Sequence, residues 1–158
     1  MKRQINSIYA ILAFTVIVLT SSCLKKDLPE FQSFEDNDIT LVNVEHRFNG
    51  NLTMNGEPIV AYQKLNVTQT VDDNTSTINV EITVPVTSDE FTDAERDKVS
   101  QSKLWFYMNI STAASIIAIE GTPTLGDPTD ATKPLKYEVT AANGDSKIWT
   151  INVTEFNK

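Results

Sequence analysis

Only one cysteine and one histidine occur among the 158 residues, glycine appears five times, and Lys and Arg together reach 13 against 21 Asp and Glu. A single thiol excludes an internal disulfide and a thiolate zinc cluster. A single imidazole excludes a two-histidine metal site within one chain. The few glycines are scattered through turn-like stretches, so there is no Gly-rich loop to cradle phosphate. Scarce basic residues argue against nucleic acid as a partner, because phosphate binding needs clustered Lys and Arg. Long apolar runs are missing too. Ile8–Leu19 spans twelve residues, about 18 Å as a helix, well short of the ~30 Å hydrocarbon core of a bilayer.

What surrounds that short run gives it a meaning. Lys2 and Arg3 precede it, and the small residues Thr20, Ser21 and Ser22 follow, which is the layout of an export signal. The stretch Leu19-Thr20-Ser21-Ser22-Cys23 resembles the lipobox of bacterial lipoproteins, with leucine one place further from the cysteine than usual, as in the looser lipoboxes of Bacteroidota. The resemblance implies cleavage before Cys23, lipidation of its thiol and attachment to the membrane through the N-terminal lipid. Acyl chains contribute about 0.8 kcal/mol per buried CH₂, so several of them anchor firmly. Residues 1–22 are then the signal peptide, and 23–37, polar and charged around Pro29, are the lipidated cysteine and a tether. Lys25, Lys26 and Asp27 partly resemble the charged signal that sends such lipoproteins to the cell exterior. Removing residues 1–22 leaves 136 residues with a net charge of −10, enough for one domain over 38–158.

Within that domain the hydrophobic period is two. Ile78, Val80, Ile82, Val84 and Val86 alternate with Asn79, Glu81, Thr83 and Pro85, the pattern of a half-buried strand. Pro85 cannot donate to a ladder and marks an edge or a strand end. Val42, Val44, His46 and Phe48 share one face of a second strand. Ile59, Ala61, Leu65, Val67 and Val71 share the face of a third, interrupted by Gln63 and Gln69. Asn49-Gly50 and Asn55-Gly56 read as turns between them. Tyr137, Val139 and Ala141 alternate inward opposite Trp149, Ile151 and Val153 around Asn143-Gly144, the strongest hairpin signal. Thr92 and Glu95 form a capping-box pattern that opens a short surface helix with Ala94 and Val99 as its apolar stripe. The expected fold is all-β, an antiparallel sandwich with one short surface helix.

Residues 114–153 carry a further resemblance. Tyr137, Val139, Thr140 and Ala141, a turn at Gly144, and then Trp149, Thr150 and Val153 resemble the closing half of immunoglobulin-like, cadherin-related modules in Bacteroidota surface lipoproteins. The resemblance implies an immunoglobulin-like sandwich with a surface accessory or binding role, and it brings no catalytic residues.

The chemistry-bearing residues are sparse. His46 lies on the apolar face of its strand and reads as a packed, hydrogen-bonded core histidine. Acidic groups at 35–38, 72–73 and 127–130 lack calcium-loop spacing and read as solvated turns. No catalytic residue, metal site or cofactor is expected, and the chain is read as a non-enzyme. In 103–111, Leu104, Phe106, Met108 and Ile110 alternate with Trp105, Tyr107 and Asn109. If the first set is core, Trp105 and Tyr107 point outward with Asn109 beside them, and Tyr62 is outward by the same parity; the competing reading is a strand buried on both sides or covered by the Thr92–Ser102 helix. Such aromatics stack on sugar rings or anchor protein interfaces. The expected function is that of a lipid-anchored outer-membrane lipoprotein at the cell surface, a non-catalytic binding or accessory module with glycan as its candidate ligand. The alternative is a structural partner of a larger envelope protein complex.

Overall fold

The computed structural model describes residues 34–158. The expected signal peptide, Cys23 and the tether up to residue 33 lie outside them. The chain forms β1 (Ile39–Met54), β2 (Glu57–Lys64), β3 (Asn66–Asp72), β4 (Thr77–Thr83), a helix α1 (Asp93–Lys98), β5 (Trp105–Ile110), β6 (Ser115–Ile119), β7 (Leu135–Thr140) and β8 (Ser146–Asn157). Among the described residues a three-stranded sheet, β2-β1-β5, and a five-stranded sheet, β3-β4-β8-β7-β6, make an all-β sandwich with one short helix.

Side-chain alternation decides what is buried. Ile78, Val80 and Ile82 of β4 are fully buried, and so are Tyr137, Val139, Trp149 and Ile151 of the β7–β8 hairpin. Tyr137 pairs with Trp149 across that hairpin. Its turn closes as expected at Asn143-Gly144, where Gly144 takes φ +95° and the Asn143 side chain accepts from the Asp145 N–H at 2.9 Å. Val42, Val44 and Phe106 meet this layer from the other sheet. Pro85 lies just past the end of β4, as a residue without a ladder donor should.

Several features depart from the sequence pattern. The β4–β8 pair is parallel, set between antiparallel pairs, because α1 and β5 to β7 intervene and return the chain in the same direction. Asn49-Gly50 is not a turn. β1 runs through it with a register shift between Asn49 and Thr53, and the hairpin closes at Asn55-Gly56, both with positive φ. Gly50 is needed for close approach instead: a Cβ there would sit 3.0 Å from the Ile59 carbonyl oxygen. The run 57–72 breaks at Leu65, so that β2 and β3 belong to different sheets. Ala94 is exposed, and Phe91 and Val99, flanking α1, are buried in its place. Thr92 does cap α1, accepting from the Glu95 N–H at 3.3 Å, while the Glu95 carboxylate meets Lys98 at 2.7 Å. Residues 34–37, assigned to the tether, are fastened to the domain: the Trp149 indole donates to the Asn37 carbonyl at 3.0 Å.

Gln69, which interrupts the apolar pattern, spans the two sheets. Its amide oxygen accepts from the Val42 N–H at 2.8 Å and its amide nitrogen donates to the Thr40 carbonyl at 3.0 Å. β1 shifts register here, between Ile39 and Leu41, and β2 does not extend this far. The side chain therefore replaces a missing strand. Gln69→Leu is expected to lower stability by about 1–3 kcal/mol, the cost of leaving such groups unpaired. Urea unfolding should show a lower midpoint at unchanged slope; an unchanged midpoint would mean that water serves these groups equally well.

Candidate functional site

The bulge near Ile39 lets Ile39 and Val42 both face inward, and from Val42 onward the parity of β1 is regular. Val42, Val44 and His46 enter the core, so Asn43, Glu45 and Arg47 turn to the outer face of the three-stranded sheet. By the same rule β2 presents Val60, Tyr62 and Lys64, and β5 presents Trp105, Tyr107 and Asn109. The registers bring these together. Arg47 faces Tyr62 and Glu45 faces Lys64 on one side, while Glu45 faces Trp105 and Asn43 faces Tyr107 on the other. All four residues singled out by sequence thus share one sheet face, joined through β1.

Their exposures differ. Tyr62 is 60% exposed, Tyr107 is half-buried and Asn109 is exposed, but Trp105 is only 8% exposed. Trp105 is covered, not an open indole platform, and the cover is Arg47 instead of α1. The Arg47 guanidinium lies 5.6 Å from the Trp105 ring centre and 5.7 Å from that of Tyr107, with the Lys103 ammonium 6.0 Å from Trp105. Arg47 is held there on both sides. Its Nε donates to the Glu45 carboxylate at 2.8 Å and its guanidinium donates to the Tyr107 hydroxyl, which in turn donates to the same Glu45 oxygen at 3.1 Å. The triad fixes a flat, charge-compensated centre.

Two grooves flank it. One of about 470 Å³ opens where β2 ends, lined by Asn43, Glu45, Tyr107 and Asn109 of the outer face and by Leu65 and Val67, which lead into β3. A second, about 570 Å³, is lined by Tyr62, Ile59, Val60, Leu52, Lys64 and Glu90 among others. Both are in the size range of small-ligand sites, roughly 300–1,000 Å³. Their walls pair apolar surface with amide, carboxylate and ammonium groups, which suits a hydroxyl-rich ligand with one apolar face. Asn43, Glu45 and Arg47 were not singled out from sequence. Their outward parity was readable from Val42, Val44 and His46, but not their neighbours across the sheet.

His46 is elsewhere. It is 5% exposed, stacked on Phe48 at 6.0 Å and tilted against Phe91 at 6.4 Å. Burial was expected; hydrogen bonding was not met, because neither ring nitrogen has a partner among the described residues. Burial holds its pKa below the ordinary value, against a smaller raising effect of Glu95. The acidic turns close themselves. Asp72 accepts from the Thr75 hydroxyl and the Asn74 N–H, and Asp130 from the Thr132 hydroxyl and N–H, each lowering the carboxyl pKa. Among the described residues no group of three or more His, Cys, Asp or Glu side chains is placed to hold a metal ion.

A family model described as DUF5018-related matches residues 39–152. The chain is similar to a Bacteroides fragilis protein, described as secreted, whose crystal structure superposes with a TM-score of 0.73 at 41% identity, covering 80% of this chain and 99% of that one. No curated protein matches it.

Proposed function

The chain belongs to the DUF5018-related family, whose match runs from β1 into β8, and we propose that it is a non-catalytic binding module of the cell envelope that takes glycan on the outer face of β2-β1-β5. Lipidation at Cys23, following the lipobox resemblance, anchors it in the outer membrane and leaves the immunoglobulin-like domain surface-exposed. Similarity to a Bacteroides fragilis protein described as secreted supports export.

One observation carries the reading. Three strands converge their outward residues so that the exposed Tyr62 ring and the half-buried Tyr107 ring flank grooves furnished by Asn43, Asn109, Glu45 and Lys64. Aromatic faces meet the apolar side of a sugar ring, and the polar groups meet its hydroxyls. Calorimetric titration of residues 24–158 with plant and host glycans is expected to find a ligand. Tyr62→Ala should weaken its binding at least about tenfold, equivalent to 1.4 kcal/mol. Trp105→Phe, beneath Arg47, should leave binding nearly unchanged. Silence of the wild-type domain across the panel would sink the glycan reading. The alternative, a structural or assembly partner in an outer-membrane complex, is favoured by the exposed apolar residues Ile59, Val60 and Tyr62 of the edge strand β2.

A further inference from the structure

Four strands lie at sheet edges: β2 and β5 in one sheet, β3 and β6 in the other. Edges invite another strand unless they are short, charged or covered. β6 has five residues, β5 has six and its entry is taken by the Leu104–Thr129 bridge, and β3 is mostly polar along Thr68, Gln69, Thr70 and Asp72. β2 differs. Its charges stand only at its ends, Glu57 and Lys64, and between them Ile59, Val60 and Tyr62 are 41%, 61% and 60% exposed.

The free backbone of β2 can be assigned. Just past the strand, the Leu65 N–H bonds the Val44 carbonyl, so the odd-numbered residues of this stretch face β1. Val60, Tyr62 and Lys64 therefore aim N–H and C=O away from the sheet. Pro58, which has no N–H, shares that outward parity, as an edge proline should.

Charge selects the occupant. The described residues sum to −10, so two copies repel except where acid is sparse; residues 58–63 carry none themselves, with Glu90 flanking them. Unlike charges at the two ends of one strand are self-complementary when the strand meets its own copy antiparallel. With Ala61 on the two-fold axis, Val60 of one copy stands opposite Tyr62 of the other, a β-branched–aromatic pair. Pro58 then faces Lys64, with Glu57 next to it, at both ends. We propose that β2 pairs antiparallel with β2 of a second copy, joining two three-stranded sheets into one of six strands. A two-fold axis normal to the sheet keeps both outer faces on the same side. Pairing closes the groove that runs along Ile59–Lys64, so in the dimer the groove beside Asn43 and Asn109 is the one left open to a ligand.

Sedimentation of residues 24–158 up to about 1 mM should reveal a concentration-dependent dimer. Val60→Pro removes only an outward N–H and is expected to give a folded monomer, with an unchanged circular dichroism spectrum. Lys64→Glu places acid at both ends of β2 and should weaken the dimer at least tenfold at low salt. The double variant Glu57→Lys, Lys64→Glu should restore it, which a partner other than a second copy would not require. A wild-type monomer throughout the range, a dimer indifferent to Val60→Pro, or a double variant as weak as the single one would each overturn the proposal.

Discussion

Trp149→Ala is expected to lower the stability of the domain by about 3–5 kcal/mol. Small domains retain only about 5–15 kcal/mol in all, so the variant should sit near the limit of folding. Three losses coincide at this side chain. Trp149 is fully buried in the β7–β8 hairpin, opposite Tyr137, and nothing adjacent can collapse into the void without disturbing both sheets. Its indole N–H holds the Asn37 carbonyl and with it the entry of the chain into β1. Lys147, 4.1 Å above the ring and paired with Asp38 at 2.9 Å, loses the surface that it covers. Trp149→Phe separates these contributions, since it keeps most of the packing and removes the hydrogen bond; about 1–2 kcal/mol should be lost. Urea unfolding followed by circular dichroism checks both. A loss under 1 kcal/mol in the alanine variant would mean that the hairpin does not form the centre of the core.

Replacing His46 acts in the opposite direction. His46→Phe is expected to raise stability by about 1–3 kcal/mol, because a buried polar ring without partners is exchanged for an apolar ring of similar shape. It should also remove a pH dependence. Burial lowers the folded-state pKa of His46 from the ordinary 6.5, so the unfolded chain binds a proton at a pH where the folded chain does not. Above about pH 6.5 the imidazole is neutral in both states and its contribution is constant. As pH falls through 6.5, protonation favours the unfolded chain, and stability declines until the folded-state pKa is reached. Asp72 and Asp130 titrate below their ordinary 3.8, so their losses come at lower pH and do not overlap this window. Unfolding measured from pH 7.5 to 5 should slope for the wild type and be nearly flat for His46→Phe. Equal slopes would place the pH dependence in other groups.

The sandwich was legible because burial with period two is a local signal, and β4 and the β7–β8 hairpin carry it without interruption. Parity also put Tyr62, Tyr107 and Asn109 on outward positions correctly, since alternation needs no knowledge of neighbours. What alternation cannot report is which strands adjoin. The break at Leu65 was hidden because the apolar residues on either side keep nearly the same spacing while the strands pair in different sheets. Gln69 looked like an interruption of the pattern because its role is backbone-like and lies 27 residues away at Val42. The cover of Trp105 was hidden for a related reason: it is Arg47, a long amphipathic side chain from another strand whose head lies over two rings. Asn49-Gly50 had turn chemistry, but the pair 55–56 closes the hairpin and leaves the first glycine to permit strand contact.

The claim on which the functional account rests is that the outer face of β2-β1-β5 is the working surface. Amide chemical shifts of isotopically labelled residues 24–158, followed during titration with the glycan that binds most tightly, test it most directly. The account predicts saturable shifts concentrated at Asn43, Glu45, Tyr62, Lys64, Tyr107 and Asn109, with the five-stranded sheet unmoved. Shifts concentrated on β3, β4 and β6 to β8, with those six residues silent, would contradict it.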